Sequence, residues 1–596
     1  MLQSLSTVDL VVVILLLLFL VTASMYSSFK KKSSEDYFMA GHSLKWYSVA
    51  GSIFGTNIHA QQIIGMMGIG YSIGFAQSHY EVWAVPAVLV LVYVFIPIYR
   101  KRQFFTLSQF LERRYNSTTR LAYTILMITF IMIQLIGGFY IGSRTLGILF
   151  DGTSLHPSYL QGILVIAGVT VLFTVFGGME SVVIADNILT VIMIISVLLM
   201  GTLTYLQPEI GGFHNLLTID HAQANKMHLY LPANHPKLPW LGIFTGLTIL
   251  NFFYWTTNQY QVQRVLAAQT ERDAKLGSLA AGFLKLLIPF FSIGAGSAAF
   301  YLFRSRFGEN VIKPDDTFLT LLKTVVPVGY GFVGLILAGL VCAIFSAIYS
   351  MMNSVSTMLA YDVFRKYINP KATDKQTVQF GQLGVFIMCG LATILAFVTF
   401  DPTSSDNFFL ILANQTSYLK PGLVVVFFWG VLWRKANPAA AVIVLISSPF
   451  IGFACDFVYD HGLSQLVWVR EMFGEKLNFL YRVFLIFLIG SGLIVLLSTY
   501  FNRRNGLVDT HELTISFAGI GGASGRFLII HIPLIALVLL HIVSPQMASL
   551  PAALLTFGLF WWYRKRANEP VLFYQSDIFY AGLLTTAMTW IMYYFA

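Results

Sequence analysis

Residues 51–81, GSIFGTNIHAQQIIGMMGIGYSIGFAQSHYE, constrain this chain most. The stretch is apolar enough to enter a bilayer, yet glycines recur at Gly51, Gly55, Gly65, Gly68, Gly70 and Gly74. Asn57, His59, Gln61 and Gln62 fall in its middle. An uncompensated polar group in hydrocarbon costs on the order of several kcal/mol. Such a segment is stable in a membrane only where its irregular backbone and polar side chains face a cavity lined by protein. A membrane helix broken around polar groups points first to a transporter.

Composition places the rest of the chain in the same setting. Of 596 residues, 57% are hydrophobic and 11% charged, against roughly 25% charged in soluble domains. Apolar runs of about 20 residues recur end to end and predict about 16 spans in an all-α polytopic membrane protein. Residues 8–26 lack a basic leader and are followed by Lys30, Lys31 and Lys32, so they read as a retained first span with an outside N-terminus. The basic clusters alternate with the spans: Arg100, Lys101, Arg102, Arg113 and Arg114; Arg264, Arg272 and Lys275; Arg365 and Lys366; Arg434 and Lys435; Arg503 and Arg504; Arg564, Lys565 and Arg566. This is the positive-inside pattern, and the net charge of +10 therefore implies a lipid bilayer as partner and no nucleic acid. Cys342, Cys389 and Cys455 lie in apolar runs without metal or disulfide spacing.

Polar groups concentrate in a few spans. In NFFYWTTNQYQVQR, Asn251, Tyr254, Trp255 and Asn258 repeat at helical spacing. Rings beside amides suit a sugar, whose C–H face stacks while its hydroxyls hydrogen-bond; amides can equally act as glue between packed helices. Ser346, Ser350, Asn353 and Thr357 share one face of the ninth span; they either allow close packing or offer oxygens to a hard cation. Glu81 and Lys285 are ionisable groups inside spans, and each needs a partner or water. Asp186 starts the sixth span as either an interfacial carboxylate or part of an ion path. His59 reads as a hydrogen-bonded core histidine or a proton relay.

Together, NIHAQQIIGMMGIGYSIG with SHYE, NFFYWTTNQYQVQR with LAA, AAGFLKLLIPF and SAIYSMMNS resemble the sodium/solute symporter family, most closely its bacterial sodium/galactose and sodium/glucose cotransporter branch. The likeness runs over roughly residues 5–500. It implies a LeuT-like core of inverted five-helix repeats, with one N-terminal and several C-terminal extra helices. The corresponding division is 1–44 for the extra helix and basic loop, 45–206 for the first repeat, 207–239 for an external loop, 240–433 for the second repeat and 434–596 for the C-terminal helices. The first helix of each repeat is then a polar-interrupted one.

Carried over by position, the resemblance implies sugar contacts at Asn57, Gln62, Glu81, Asn251 and Lys285, and an inner gate at Tyr254 with Trp255 beside it. It implies a sodium site on the carbonyls of Gly55, Ile58 and Ala343 and the hydroxyl of Ser346, with Asp186 on the sodium exit path. Ala347 departs from the family's second hydroxyl. Ala413 and Ala84 depart at positions that are polar in the sugar branch.

The leading expectation is Na+-coupled symport of a monosaccharide or related polyol by alternating access, in a multi-pass protein of the plasma membrane, a bacterial inner membrane. The alternatives are the same fold carrying sialic acid, an amino acid or a carboxylate, sodium-independent or proton-coupled sugar transport, and a membrane solute sensor. Nothing in the motifs supports an enzyme: there is no nucleophile elbow, metal spacing or carboxylate pair.

Overall fold

The computed structural model describes residues 6–26, 33–57, 60–101, 104–149, 157–308, 312–399, 408–505, 517–566 and 573–596. These residues are almost wholly helical. In chain order the main elements are α1 (Thr7–Tyr26), α2 (Trp46–Asn57), α3 (Ala60–Ser72), α4 (Phe75–Arg100), α5 (Leu107–Arg114), α6 (Ser117–Leu149), α7 (Tyr159–Tyr205) and α8 (Phe213–Ala222). Then follow α9 (240–257), α10 (Gln259–Leu266), α11 (Glu271–Phe307), α12 (Thr317–Val325), α13 (Phe332–Ile368), α14 (Asp374–Thr399), α15 (Phe408–Thr416) and α16 (Lys420–Leu432). The chain closes with α17 (Pro438–His461), α18 (Phe479–Asn505), α19 (Phe517–Leu539), α20 (Pro545–Arg566) and α21 (Asp577–Tyr594).

Among the described residues, nine helices are long and apolar enough to cross a membrane, and three shorter apolar helices accompany them. The sixteen spans expected from hydropathy are therefore not reached by this measure. Of the spans outside those nine, the first, fifth and eleventh appear as the shorter apolar helices, and the seventh is interrupted at Asn258. Lipid-facing positions are apolar: on α14, Leu383, Phe386, Ile387, Leu391, Ile394 and Val398 are all exposed.

The interior is organised around α2 and α7, which pack on each other and on both α11 and α13. Glycine permits the closest approaches. A Cβ at Gly55 would stand 2.9 Å from both the Asp186 carbonyl and Thr190 Oγ1, so α2 lies backbone-to-backbone on α7. The 47-residue α7 is too long for one crossing, at about 70 Å. It is interrupted at Gly178 (φ +60, ψ −168), where a Cβ would also meet the Tyr37 carbonyl at 2.7 Å. That break falls in the GGMES loop expected between the fifth and sixth spans. At the start of the chain, α1 docks on α13 and α7. Its buried Asp9 accepts from the backbone N–H of Gly329 (3.3 Å) and Gly334 (3.2 Å), capping the start of α13.

Two clusters expected as loop charge are interior in part. Arg114 is fully buried, its guanidinium donating to the carbonyls of Gly430 (2.6 Å) and Trp433 (2.8 Å). Arg264 is also fully buried. Arg114 thereby offers donors to the end of α16, where carbonyls lack intrahelical partners.

Candidate substrate and ion site

The seventh span breaks at Asn258, whose extended backbone (φ −88, ψ 117) separates α9 from α10. The last turn of α9, Phe253–Thr257, is a widened π-type turn. Carbonyls freed by this break need donors inside the membrane. Tyr99 of α4 donates to the Thr256 carbonyl at 2.8 Å, and Tyr123 of α6 to that of Thr257 at 2.9 Å. In the second span, α2 ends at Asn57 and α3 begins at Ala60; Ile58 and His59 between them lie outside the described residues. The two tyrosines that hold the Asn258 break open carry no signal in the sequence, because a tyrosine in an apolar run looks like core.

The polar groups of four elements meet beside these breaks. Lys285 Nζ of α11 donates to Asn57 Oδ1 at 2.7 Å and lies 2.7 Å from Glu81 Oε2 of α4. Gln62 Nε2 of α3 donates to Glu81 Oε1 at 2.6 Å. The sequence left open whether Glu81 and Lys285 meet; they do. The Lys285 ammonium is also 5.9 Å from the centre of the Trp255 ring. All five of these side chains are buried. Asn251 donates to the Trp83 carbonyl at 3.2 Å, next to this chain rather than within it. Tyr254 donates to Gln261 Oε1 at 3.1 Å across the helix break. Among the described residues, the hydroxyl of Tyr80 and the indole N–H of Trp255 are buried without a hydrogen-bond partner. Ala84 is buried and Ala413 half-buried.

A second cluster joins α2, α7, α10 and α13. Ser346 Oγ donates to Asp186 Oδ1 at 2.5 Å and sits 3.3 Å from the Gly55 carbonyl. Tyr349 donates to Asp186 Oδ1 at 3.2 Å and Ser52 to Oδ2 at 2.5 Å. Thr56 Oγ1 lies 3.3 Å from both Asp186 Oδ2 and Ser350 Oγ. Asp186, Ala343, Ser346 and Ala347 are all buried. Of the expected sodium ligands, Gly55 and Ser346 are thus in contact, and Ala343 lies one turn from Ser346 on α13. Asp186 is buried and accepts directly from Ser346. Gathered oxygens with one carboxylate suit a hard cation.

Arg264 completes the cluster. Its Nη2 is 3.6 Å from Asp186 Oδ2, its Nε donates to Ser52 Oγ at 3.2 Å, and Nη1 donates to the Tyr260 carbonyl. The charge pattern placed Arg264 in a loop, since the polar QYQVQR run hides that α10 is wholly interior. Further along, Gln263 links α10 to α13 through Thr357 (2.9 Å) and Ser354 (2.8 Å). That half of the hydroxyl face on the ninth span is helix-to-helix glue.

The third break, between α15 and α16, is held by α18. Arg482 donates to the Asn414 carbonyl (3.2 Å) and Ser417 Oγ (2.6 Å), and its guanidinium lies 3.9 Å from the Tyr418 ring centre. Asp456 accepts from both Arg482 (2.8 Å) and Tyr418 (2.6 Å).

Helices broken beside two buried polar clusters define a secondary transporter, and comparison gives the same class. A solved Na+-coupled sialic acid symporter, in a substrate-bound outward-open state, superposes with a TM-score of 0.70 at 18% identity, covering 83% of this chain and 98% of that one. The fold is LeuT-like. The sodium:solute symporter family model matches residues 37–447. The sodium/glucose cotransporter of Vibrio parahaemolyticus is 30% identical over 450 residues, covering 71% of this chain and 79% of that protein. The sodium/myo-inositol cotransporter 2 of Mus musculus is 29% identical over 476 residues, covering 75% and 69%. The chain belongs to the sodium:solute symporter family. It is a multi-pass membrane transporter and not an enzyme.

Proposed function

We propose that this protein carries a monosaccharide or related polyol together with Na+ by alternating access, in a bacterial inner membrane with its N-terminus outside. The observation that carries the substrate half is the chain Asn57–Lys285–Glu81–Gln62, closed by Trp255. It offers donors and acceptors at close spacing, as vicinal hydroxyls require, with an aromatic ring beside them. Its ammonium and carboxylate offset each other, so the pocket has no net charge to favour an anion such as sialic acid or a carboxylate. Relatives named for glucose and myo-inositol support the same class.

In the ion half, Na+ is a cargo held by the carbonyls of Gly55, Ile58 and Ala343 and the Ser346 hydroxyl. Ala347 supplies no oxygen, and the Asp186 carboxylate beside Ser346 provides negative charge in its place. Arg264 lies against the same carboxylate. A cation entering here shares Asp186 with Arg264 and weakens its hold on α10, the continuation of the helix that carries Asn251, Tyr254 and Trp255. Differential binding of this kind is all that coupling requires. Counterflow of labelled glucose, galactose and myo-inositol in proteoliposomes tests the substrate. Exchange of none of them, with exchange of a carboxylate or amino acid instead, overturns it.

A further inference from the structure

The three last helices form a unit with an open face. α20 and α21 pack closely as a pair, and α21 fastens them to α4 and α11. α19 rests on α20. Between α19 and α20 runs a groove of about 640 Å³, lined by Ile530, Pro551, Leu554, Leu555, Gly558 and Trp562. Its lining is apolar along its length. From Pro551 to Trp562 it follows α20 for about 16 Å.

One end of the groove is charged. Arg526 of α19 is exposed, and its guanidinium lies 4.9 Å from the Trp562 ring centre and 5.8 Å from that of Tyr563. It also donates to the Tyr563 hydroxyl at 3.3 Å. Arg564 and Lys565 close α20 at this end, two and three residues beyond Trp562. By the positive-inside rule this end faces the cytoplasm. An arginine inside a span reaches toward the headgroup layer, and here two rings hold it over the mouth of an apolar groove.

We propose that this groove is a binding site for an anionic phospholipid of the inner leaflet, one acyl chain lying between Ile530 and Leu554 and the phosphate meeting Arg526. Charge complementarity selects the occupant: a zwitterionic lipid fills the groove equally well but gains less from the basic end. Basic pockets between helices at the cytoplasmic surface bind anionic headgroups in this way.

Native mass spectrometry of the full chain, released from detergent with equimolar phosphatidylglycerol and phosphatidylcholine, tests the site. Phosphatidylglycerol should be retained preferentially, and Arg526→Gln should lower that retention about fivefold. Gly558→Leu is the second variant. A Cβ at Gly558 meets nothing within 4 Å, so the position has room for a larger side chain in the groove, which should displace the lipid as well. Equal retention of the two lipids, or undiminished retention in Arg526→Gln, overturns the proposal. Loss in Arg526→Gln with none in Gly558→Leu assigns the effect to surface charge alone and overturns the groove.

Discussion

Lys285 is the residue on which the substrate cluster depends, because it holds both Asn57 and Glu81. Removing one member of a buried ion pair costs about 3–5 kcal/mol, since it strands the other charge. Lys285→Ala should therefore lower both solute affinity and thermal stability, whereas Asn251→Ala should weaken solute binding with little change in melting temperature. Binding isotherms beside thermal unfolding curves separate the two effects; unchanged affinity in both variants refutes the pocket. At the ion cluster, Ala347→Ser should tighten apparent sodium affinity by adding the oxygen this chain lacks. Asp186→Asn should raise the sodium concentration for half-maximal uptake at least tenfold, because it removes the only carboxylate in contact with Ser346 among the described residues. Sodium activation curves of the two variants check both. The importance of Glu81 and Lys285 was legible in the sequence, since an ionisable group in a span must be accounted for. Arg264 was not: it follows a run of glutamines, and only packing shows that these amides face helices and not solvent.

Breaks and close approaches set the behaviour of the elements. Gly55 lets α2 lie on α7, so Gly55→Ala must push apart the Asp186 carbonyl and Thr190. Overpacking of this kind costs about 1–3 kcal/mol. It should lower the yield of folded protein and disturb sodium activation together, measured by size-exclusion profile and uptake; a silent substitution would mean that the two helices are already apart. The sequence displayed the interrupted spans well, because glycines and amides set into an apolar run weaken a straight helix and demand polar neighbours. It did not display what holds them. The donors that serve the break at Asn258 come from Tyr99 and Tyr123, and the clamp on the third break comes from Arg482 of α18. These are contacts between elements far apart in the chain, which periodicity within one element does not encode. The seventh and eleventh spans fall outside the nine long apolar helices for the same reason, since each piece of an interrupted span is shorter than the helix a hydropathy window assumes.

For the molecule as a whole, the two clusters are joined through one shared helix, α2. α2 contributes Gly55 to one and Asn57 to the other, while α9 and α10 connect Trp255 to Arg264 across a break. A cation at Asp186 and a solute at Lys285 therefore bias one shared arrangement, and each should raise the affinity of the other by the same factor. The central claim is this coupling of Na+ to a neutral sugar or polyol. Its most direct test is the initial rate of labelled glucose, galactose and myo-inositol uptake into proteoliposomes, with and without an inward sodium gradient at fixed pH and ionic strength. Concentrative uptake of at least one of them, abolished when the sodium gradient is collapsed, is the expected result. Uptake that proceeds equally without sodium would contradict the account and leave a uniporter or a proton-coupled carrier.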